Sequence, residues 1–279
     1  MKCLIAGGDE RMVFAAEALA KDNEVCCLAM ERASLSGDIV SLSAPRKADC
    51  VVLPLPAETG KAGHLNAPFS DSGISAAELL EALPENTLVC GGKISDRLKL
   101  AARERKLRLV DYMTRPELVT GNAAVTAEAA VALLMQRTDY CLFGKSALVI
   151  GYGRIGRILS DKLRSLGVKV CVMSRSAESR AMAEALGCHA LAPSDALPQL
   201  DMVVNTAPAP VMTKLEGLCS PCLMLELASA PGGLDSAVAQ RLGHRYFAAP
   251  GLPGKYAPRT AGLLIAEAVM NIVKEHENE

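Results

Sequence analysis

The residues with the clearest chemical pattern are three glycines with the spacing Gly151-x-Gly153-x-x-Gly156. An apolar run at 147–150 precedes them and a helical apolar pattern follows, so the stretch predicts a strand, a tight turn and a helix in succession. Gly151 allows the sharp bend, Gly153 lets a pyrophosphate approach the backbone, and Gly156 lets the helix pack closely on the strand. The helix N-terminus adds unpaired N–H groups and a positive dipole end. The sequence therefore predicts a dinucleotide site.

The end of the second predicted strand, 168–173, indicates which dinucleotide is bound. An NAD site usually places Asp or Glu about 20 residues after the first glycines, where the carboxylate accepts hydrogen bonds from the ribose 2′-hydroxyl. This chain has Ser174-Arg175-Ser176 at that position. No carboxylate is present to repel a 2′-phosphate, and a guanidinium and two hydroxyls can bind it. We therefore expect NADP; the alternative is that Arg175 is a solvated charge beside a loop.

The nicotinamide side of the site is expected where two later strands end in small residues and prolines. One strand leads into Thr206-Ala207-Pro208, and the next leads into Leu227-Ala228. Bulky side chains at these ends would block the ribose. The predicted cofactor-binding residues are Gly151, Tyr152, Gly153, Arg154, Ile155, Gly156, Ser174, Arg175, Ser176, Thr206, Ala207, Pro208, Leu227 and Ala228.

The composition limits the classes of function. With 279 residues and 50% hydrophobic content, the chain can fill about two domains with a core each. A net charge of -1 and 3% aromatic residues offer no basic or base-stacking surface for nucleic acid. The N-terminus has no charged leader before a long apolar core, and no uninterrupted apolar run approaches the length of a membrane span. We expect a soluble, cytoplasmic protein that binds neither nucleic acid nor membrane.

The ten cysteines raise the question of disulfides or a metal site. Most lie in or beside predicted strands, where a thiol acts as a small apolar filler. Only Cys219 and Cys222 have a CxxC spacing, with no second pair and no histidine at a ligand distance. We therefore predict reduced structural thiols and no metal.

Strands alternate with helical patterns along the chain, which predicts an α/β fold of two Rossmann-like parallel-sheet domains. The first domain, 1–118, is interpreted as a flavodoxin-like, substrate-side unit with five strands. A long apolar helix, 119–140, joins it to a Rossmann NADP-binding domain, 141–261. The last helix, 262–279, is predicted to pack back on the first domain and cover its sheet. The prolines and glycines of 249–262 predict a shaped loop rather than a helix or strand.

Several residues at predicted strand ends could bind an anionic substrate. The Gly7-Gly8 turn points N–H groups above the first sheet, and Arg11 follows one helical turn later, unless it simply faces solvent. The loop 57–64 lies at the carboxyl edge of that sheet, where α/β sheets bind ligands, and its glycines permit close approach. Lys255, Arg259 and Thr260 are expected as anion ligands at the start of the final helix. The predicted substrate-binding residues are Gly8, Arg11, Thr59, Gly60, Lys255, Arg259 and Thr260.

Asp9, Glu128 and His64 are the candidate catalytic residues, as proton acceptors. Each has a second interpretation. Asp9 could instead cap the helix that follows the Gly7-Gly8 turn. Glu128, the one carboxylate on an apolar stretch of the linker helix, could instead lie exposed and compensate the helix dipole. His64 could accept a proton through its imidazole, but a histidine in a loop could also face solvent.

Five stretches of the sequence have a distinctive pattern, and the last two are long and unusual. They are Gly7-Gly8-Asp9-x-Arg11; Leu53-Pro54 with Thr59-Gly60; Arg137-Thr-Asp-Tyr140 leading through Gly144; Leu227-Ala-Ser-x-Pro-Gly-Gly233; and Ala249-Pro-Gly-Leu-Pro-Gly254 followed by Ala257-Pro258 and Thr260-Ala-Gly262. Together these stretches resemble the A subunits of dipicolinate synthase, the sporulation enzyme of endospore-forming bacteria, and the resemblance covers nearly the whole chain. The glycine fingerprint is also similar to that of hydroxyacid dehydrogenases and adenosylhomocysteinase.

The resemblance implies an NADP-dependent oxidation of a dihydro- or hydroxytetrahydro-dipicolinate to dipicolinate, which is pyridine-2,6-dicarboxylate, together with a flavoprotein-like B subunit. Binding of a dicarboxylate needs two anion clamps, and the chain offers Arg11 with the Gly7-Gly8 turn, and Arg259 and Thr260 with Lys255. We also expect a homo-oligomer. The chain departs from the family at Ala129, where a glycine often follows the glutamate, and this weakens a role for Glu128.

Two other functions remain open at the level of sequence. A dehydrogenase of another small carboxylate, such as a 2-hydroxyacid, would need an arginine and a histidine–carboxylate pair in the nucleotide domain, and His189 and His244 have no such setting. A non-catalytic NADP sensor would bind cofactor without turnover, and the basic residues of 249–262 would then have no role.

Overall fold

The chain folds as two compact units, Met1–Asn122 together with Ala257–Glu279, and Ala123–Tyr256. The computed structural model describes residues 1–37, 39–60, 62–210, 218, 221–229 and 232–277. Each unit is built on a parallel six-stranded sheet flanked by helices. This confirms the predicted fold of two Rossmann-like parallel-sheet domains.

The first unit contains a parallel sheet and a small hairpin. Its described strands are β1 (Lys2–Ala6), β2 (Glu24–Leu28), β3 (Val40–Leu42), β4 (Cys50–Val52), β5 (Glu58–Thr59), β6 (His64–Leu65), β7 (Leu88–Gly91) and β8 (Arg108–Asp111). The parallel strands have the order β3-β2-β1-β4-β7-β8, and β5 pairs with β6 within the predicted loop 57–64. The flavodoxin-like prediction did not include β3. With this strand beside β2, the order is that of a Rossmann sheet, and β3 gives little sequence signal because two of its three residues are exposed.

Helices cover both faces of the first sheet. The α-helices described up to the linker are α1 (Glu10–Leu19), α2 (Ala76–Glu81), α3 (Asp96–Glu104) and α4 (Pro116–Arg137), and a short 3-10 helix, Tyr112–Thr114, precedes α4. Successive strand residues face opposite sides, so Cys3 and Ile5 enter one core with Met12 of α1, and Leu4 enters the other with Leu79 of α2. Because both faces are covered, the central strands are apolar apart from Lys2, which is exposed at the start of β1.

The second unit repeats this architecture. Its described strands are β9 (Ser146–Ile150), β10 (Lys169–Met173), β11 (His189–Leu191), β12 (Met202–Asn205), β13 (Leu223–Glu226) and β14 (Arg245–Ala248), and its helices are α5 (Arg154–Ser165), α6 (Ala177–Ala185), α7 (Ser236–Arg241) and α8 (Leu252–Tyr256). The sheet order is β11-β10-β9-β12-β13-β14, and all pairs are parallel.

The linker helix α4 runs Pro116–Arg137, against the predicted 119–140, and the boundary between the two units falls within it. Proline at the first helical position explains the earlier start. By length and composition alone α4 could cross a membrane, but half of its most apolar stretch is buried, as in the core helix of a soluble protein. Its residues Ala127 and Ala130 belong to a core of the second unit together with Leu159.

The last helix, α9 (Pro258–Glu277), packs on α1 and covers one face of the first sheet, as predicted. Its residues Ile265 and Val269 enter the same core as Met12. The helices approach closely at Gly262, where a Cβ atom would lie 2.3 Å from the carbonyl oxygen of Arg11. Only glycine fits this contact without displacing one helix.

The segment 249–262 is not the irregular loop that its prolines predict, because α8 and the first residues of α9 occupy most of it. The final helix also begins at Pro258 rather than at 262. Pro253 and Pro258 lie in the first turns of α8 and α9, where a missing N–H group leaves no intrahelical hydrogen bond unmade.

The cysteines of the strands form no disulfide and are buried, except Cys26, which is half-buried, so they act as the predicted apolar fillers. Burial raises the pKa of the Cys3 and Cys27 thiols to about 12. Cys219 of the CxxC pair lies outside the described residues, and Cys222 is buried next to β13.

Candidate functional site

In the second sheet, the direction in which successive strands are added reverses between β9 and β12. The chain proceeds from β9 outward to β10 and β11, then returns to β12 on the other side of β9 and continues to β13 and β14. At such a switch point the loops leave in opposite directions and open a crevice at the carboxyl ends of the strands. The glycine turn follows β9 and therefore lies at this crevice.

The glycine turn has the geometry of a dinucleotide-binding loop. Gly151 has φ 89°, and a Cβ atom on it would lie 2.8 Å from Oγ1 of Thr206. A Cβ atom at Gly156 would lie 2.1 Å from the carbonyl oxygen of Gly151, so this position requires glycine for packing. At Gly153 a Cβ atom would meet none of the described atoms within 4 Å. In dinucleotide-binding loops of this kind, the corresponding open space is where a pyrophosphate approaches the backbone.

The first turn of α5 is open toward this space. Gly153 is the N-cap residue, no side chain caps the helix, and the first turn contains no acidic residue. The first-turn N–H groups have no intrahelical partner, and together with the helix dipole they favour an anion. Arg154 is exposed at the same turn, whereas Tyr152 is buried in a core of the second unit and Ile155 packs against that core.

Of the residues after β10, the two serines stabilise the turn and the start of α6, whereas the Arg175 side chain remains unpaired among the described residues. Ser174 Oγ accepts a hydrogen bond from the Ser176 N–H (3.3 Å), and Ser176 Oγ caps α6 by accepting from the Ser179 N–H (3.2 Å). Arg180 Nη1 donates to the carbonyl oxygens of Ser174 (2.8 Å) and Arg175 (3.0 Å). The Arg175 side chain is exposed and makes no hydrogen bond or ion pair with the described residues. Arg175 is thus the cation available at the tip of β10.

The residues after β12 lie against the glycine turn. Thr206 Oγ1 donates to the carbonyl oxygens of Ile150 (2.9 Å) and Gly151 (3.3 Å), which ties the two strand ends together. Ala207 is half-buried and Pro208 is exposed. Leu227 is buried after β13, and Ala228 beside it is half-buried. The predicted residues Thr206, Ala207, Leu227 and Ala228 therefore follow adjacent strands at the same edge of the sheet.

A buried carboxylate that sequence reasoning missed holds these strand ends. Glu226, at the end of β13, accepts hydrogen bonds from Asn205 Nδ2 (2.7 Å) and from the N–H groups of Ala228 (2.9 Å), Gly233 (2.9 Å) and Leu234 (3.0 Å). Asn205 is fully buried, and Glu226 is 3% exposed. The available signal was a strand that ends in a carboxylate and is followed by a Gly-Gly pair.

In the first unit, Asp9 and Arg11 form a pair. Asp9 caps α1, as its second interpretation predicts, by accepting from the Arg11 N–H (3.1 Å). Arg11 Nε and Nη2 donate to the Asp9 carboxylate at 2.9 and 2.8 Å, and Nη2 also donates to the carbonyl oxygen of Leu55. The Arg11 side chain is only 13% exposed, and its Nη1 has no hydrogen-bond partner among the described residues. Gly8 has φ 104° and leaves no room for a side chain, because a Cβ atom would lie 2.1 Å from Met12.

The N-termini of α1 and α9 lie at the same edge of the first sheet. The Arg259 guanidinium lies 5.5 Å from the ring centre of Phe14, near the start of α1. Asn23, just beyond the end of α1, contacts Met270 further along α9. The two helices therefore run in the same direction, and both begin at the edge where β1 ends. Arg259 and Thr260 are exposed there, in the same unit as Arg11.

The other predicted residues have separate settings. Thr59 and Gly60 are exposed in the β5–β6 hairpin, and His64 is exposed on its second strand. Lys255 is exposed in α8 of the second unit. Glu128 has a 79% exposed side chain and pairs with Lys162 (3.5 Å), about two turns beyond the start of α5. Glu128 is therefore not brought to the glycine turn.

A Rossmann sheet with a glycine turn at its switch point, in a chain that also contains a second α/β unit, is the architecture of nicotinamide-dinucleotide-dependent dehydrogenases. Comparison with known proteins agrees. The family model for the D-isomer specific 2-hydroxyacid dehydrogenase NAD binding domain matches residues 118–215, and that for the N-terminal domain of the dipicolinate synthase A subunit matches residues 2–113.

Individual relatives identify the family. The A subunit of dipicolinate synthase from Bacillus subtilis is 30% identical over 237 residues, which is 83% of this chain and 80% of the relative. The crystal structure of the dipicolinate synthase A chain from the same organism superposes with a TM-score of 0.88 at 27% identity, covering 100% of this chain and 98% of the other. The A subunit from Bacillus halodurans also gives a TM-score of 0.88 at 27% identity, covering 97% of both chains. The chain belongs to the family of dipicolinate synthase A subunits, and it is an oxidoreductase with a nicotinamide dinucleotide site in its second unit.

Proposed function

We propose that this protein oxidises a dihydro- or hydroxytetrahydro-dipicolinate to dipicolinate with NADP, as the A subunit of a sporulation dipicolinate synthase. The observation that carries the proposal is the match of the first unit, residues 2–113, to the N-terminal domain of the dipicolinate synthase A subunit. The nucleotide domain also matches a family with other substrates, so the first unit is the part that distinguishes the substrate.

The choice of NADP is supported at the tip of β10. No carboxylate stands where an NAD site holds one, and the exposed Arg175 guanidinium has no partner among the described residues. A 2′-phosphate would gain charge-assisted hydrogen bonds from Arg175. The Arg180 side chain supports this turn by binding the carbonyl oxygens of Ser174 and Arg175.

A dicarboxylate substrate is supported by the two helix N-termini of the first unit. Arg11 offers Nη1 while Asp9 holds the rest of its guanidinium, and Arg259 and Thr260 lie at the start of α9. Each clamp combines a side-chain donor with a helix dipole that favours a carboxylate. Thr59 and Gly60 of the β5–β6 hairpin and Lys255 of α8 are the remaining proposed contacts.

The nicotinamide supplies hydride acceptance when the cofactor is bound, and formation of the aromatic ring supplies driving force. The residues of this chain bind the substrate and orient it against the nicotinamide. This positioning is their main contribution to the reaction rate. The Asp9 carboxylate is neutralised by its ion pair with Arg11. We therefore propose that its first role is to orient Arg11, and that proton acceptance is its second. His64 keeps the proposed role of proton acceptor, since its exposed side chain makes no hydrogen bond or ion pair with the described residues.

The test is to mix the purified protein with NADP and a dihydrodipicolinate-generating system, and in parallel with NAD, and to follow NADPH absorbance together with dipicolinate. Equal amounts of NADPH and dipicolinate, with NAD much weaker, are expected. Cofactor binding without dipicolinate, even when a B subunit is added, would refute the substrate.

A 2-hydroxyacid dehydrogenase is the second candidate, because the nucleotide domain matches that family. That chemistry needs a histidine at the carboxyl edge of the sheet. His189 begins β11 and His244 precedes β14, so both lie at the opposite, amino edge. We therefore place this function second, and turnover of 2-hydroxyacids with the same cofactors tests it directly.

We also propose the assembly and the location implied by the family. Membership in a family of A subunits implies that a B subunit is the partner, for which we propose a flavoprotein-like fold, and we expect this chain to form a homo-oligomer in the cytoplasm. Light scattering of the chain alone and with a B subunit would measure both states.

A further inference from the structure

We propose that Glu226 is a positioning residue that fixes the nicotinamide side of the cofactor site, while it leaves the adenine side unaffected. The inference rests on the proposed function only in that the second unit binds a nicotinamide dinucleotide. Glu226 lies at the end of β13, inside the sheet edge that forms this side of the crevice.

The first observation is that Glu226 is a buried acceptor with four donors. Each of its oxygens accepts two hydrogen bonds, Oε1 from Asn205 Nδ2 and the Ala228 N–H, and Oε2 from the N–H groups of Gly233 and Leu234. All four partners are N–H donors, so the geometry matches an ionised carboxylate, which accepts at both oxygens. Among the ion pairs of the described residues none includes Glu226, so these donors balance its charge.

The second observation is where these donors lie. Asn205 ends β12, and its side-chain amide closes a ring with Ala207 by donating to the Ala207 carbonyl oxygen (2.9 Å) and accepting from its N–H (3.2 Å). Ala228 follows β13, and Gly233 and Leu234 return to the same carboxylate. One side chain thus joins the backbone after β12 to two separate points of the backbone after β13.

The backbone after β13 packs closely against this carboxylate and its amide partner. A Cβ atom on Gly233 would lie 2.6 Å from Asn205 Nδ2, and one on Gly232 would lie 3.0 Å from Glu226 Oε2. Two glycines are therefore packed directly on the side chains of Asn205 and Glu226. A core that needed only filling would use apolar residues here, because a buried polar network costs stability unless every member is satisfied.

The function follows from the topology. In a sheet of this order the dinucleotide crosses the switch point, so one half lies above β9 and β10 and the other above β12 and β13. The residues Ala207 and Ala228, which Asn205 and Glu226 hold, belong to the second half. The adenine half depends on the Ser174–Ser176 turn, which Arg180 supports and Glu226 does not touch.

The experiment compares two ligands on matched variants. The Glu226→Gln side chain keeps the shape of glutamate, but its amide nitrogen replaces one of the two oxygens. This nitrogen then faces two N–H donors, so two of the four hydrogen bonds are lost. We expect the Kd of NADPH, measured by fluorescence titration, to rise roughly 10- to 100-fold, because binding must then order the backbone after β12 and β13 that Glu226 holds in the wild type. The Kd of 2′,5′-ADP, which carries only the adenine half, is expected to stay within about twofold of wild type.

Two further variants separate positioning from stability. Asn205→Ala removes one donor to Glu226 and frees Ala207. It should also raise the Kd of NADPH and leave the Kd of 2′,5′-ADP nearly unchanged, with a smaller rise than in Glu226→Gln. Asp201→Asn is the control, because Asp201 Oδ2 accepts from the Ser146 N–H (2.8 Å) at the amino edge of the same sheet. It should alter the melting temperature without changing the Kd of NADPH.

Three outcomes would overturn the inference. One is an equal loss of affinity for NADPH and 2′,5′-ADP, which indicates a generally loosened unit. Another is unchanged NADPH binding in folded Glu226→Gln and Asn205→Ala proteins. Failure of the wild type to bind NADPH or NADH would refute the nucleotide site itself, and with it the proposed function. Preference of the wild type for NADH would refute only the choice of NADP, and the same comparison then uses NADH and 5′-ADP.

Discussion

At the scale of single residues, the structure separates charges that are already paired from charges that remain open. Arg11 was a candidate substrate ligand, and most of its guanidinium is bound by Asp9 and by the backbone. Arg175 and Arg259 form no ion pair with the described residues and lie at two of the three predicted anion positions. A charged side chain in a motif is thus informative about binding only when its own partners are known.

Arg175→Ala should change the cofactor preference. Loss of one charge-assisted hydrogen bond to the 2′-phosphate is expected to weaken NADP binding by about 1.5–3 kcal/mol, or roughly 10- to 100-fold. The affinity for NAD should stay nearly constant, because NAD has no phosphate at that position. Calorimetric titration with both cofactors measures this. Arg103→Ala, which removes an exposed arginine from α3 of the first unit, is the control and should change neither. A parallel loss for NAD and NADP would contradict the assignment.

At the scale of elements, the close contact between α1 and α9 sets up the predicted substrate edge. The contact depends on Gly262, which rests on the backbone of Arg11 and against Phe14. Arg259 lies one turn before Gly262 on α9. The glycine therefore determines how near the two helix N-termini, with Arg11 and Arg259, can lie to each other.

Gly262→Ala should destabilise the first unit. The new Cβ atom would lie 2.3 Å from a backbone oxygen that cannot rotate away, so the helices must separate. Overpacking of this kind costs about 1–3 kcal/mol and should lower the melting temperature by roughly 5–10 °C. Gly37→Ala is the control, because a Cβ atom there meets none of the described atoms within 4 Å. Equal melting temperatures for the two variants would contradict the packing argument.

At the scale of the whole molecule, both sheets are buried on both faces, and all their cysteines except the half-buried Cys26 are buried with them. Desolvation raises the pKa of the thiols of Cys3, Cys27 and Cys171, and it also raises the pKa of the Tyr112 hydroxyl above its usual range. Acidic groups whose pKa is raised by folding keep their protons in the folded state at a pH where the unfolded chain loses them. The stability of the fold must therefore depend on pH on the alkaline side.

The protein should lose stability as the pH rises from about 9 toward 12. The ordinary thiol pKa is 9.0, while that of Cys27 in the fold is about 12, so the unfolded chain releases protons that the folded chain retains. The stabilisation is fully present below the thiol pKa of the unfolded chain, 9.0, and is lost as the pH rises through the pKa of the folded state, about 12. Thermal unfolding at increasing pH measures the effect. Cys27→Ala should reduce the slope, whereas Cys141→Ala, at an exposed position, should not. A slope that is unaffected by Cys27→Ala would refute this explanation.

The parts of the fold that could be predicted from the sequence are those with local signals. The alternation of apolar runs and helical repeats gave both sheets, and the spacing of Gly151, Gly153 and Gly156 gave the cofactor turn. The edge strand β3 was missed because its pattern is exposed, and α8 was hidden because prolines are tolerated in a first helical turn.

The site was predictable only in part. The sequence by itself determined the glycine turn and the absence of a carboxylate after β10, because a strand, a turn and a helix in succession fix that geometry locally. Only the tertiary structure decided that Glu226 and Asn205 meet, that Asp9 neutralises most of Arg11, and that Glu128 pairs with Lys162. These outcomes depend on which strands are neighbours and which helix faces are exposed, and the spacing of residues along a chain does not specify either.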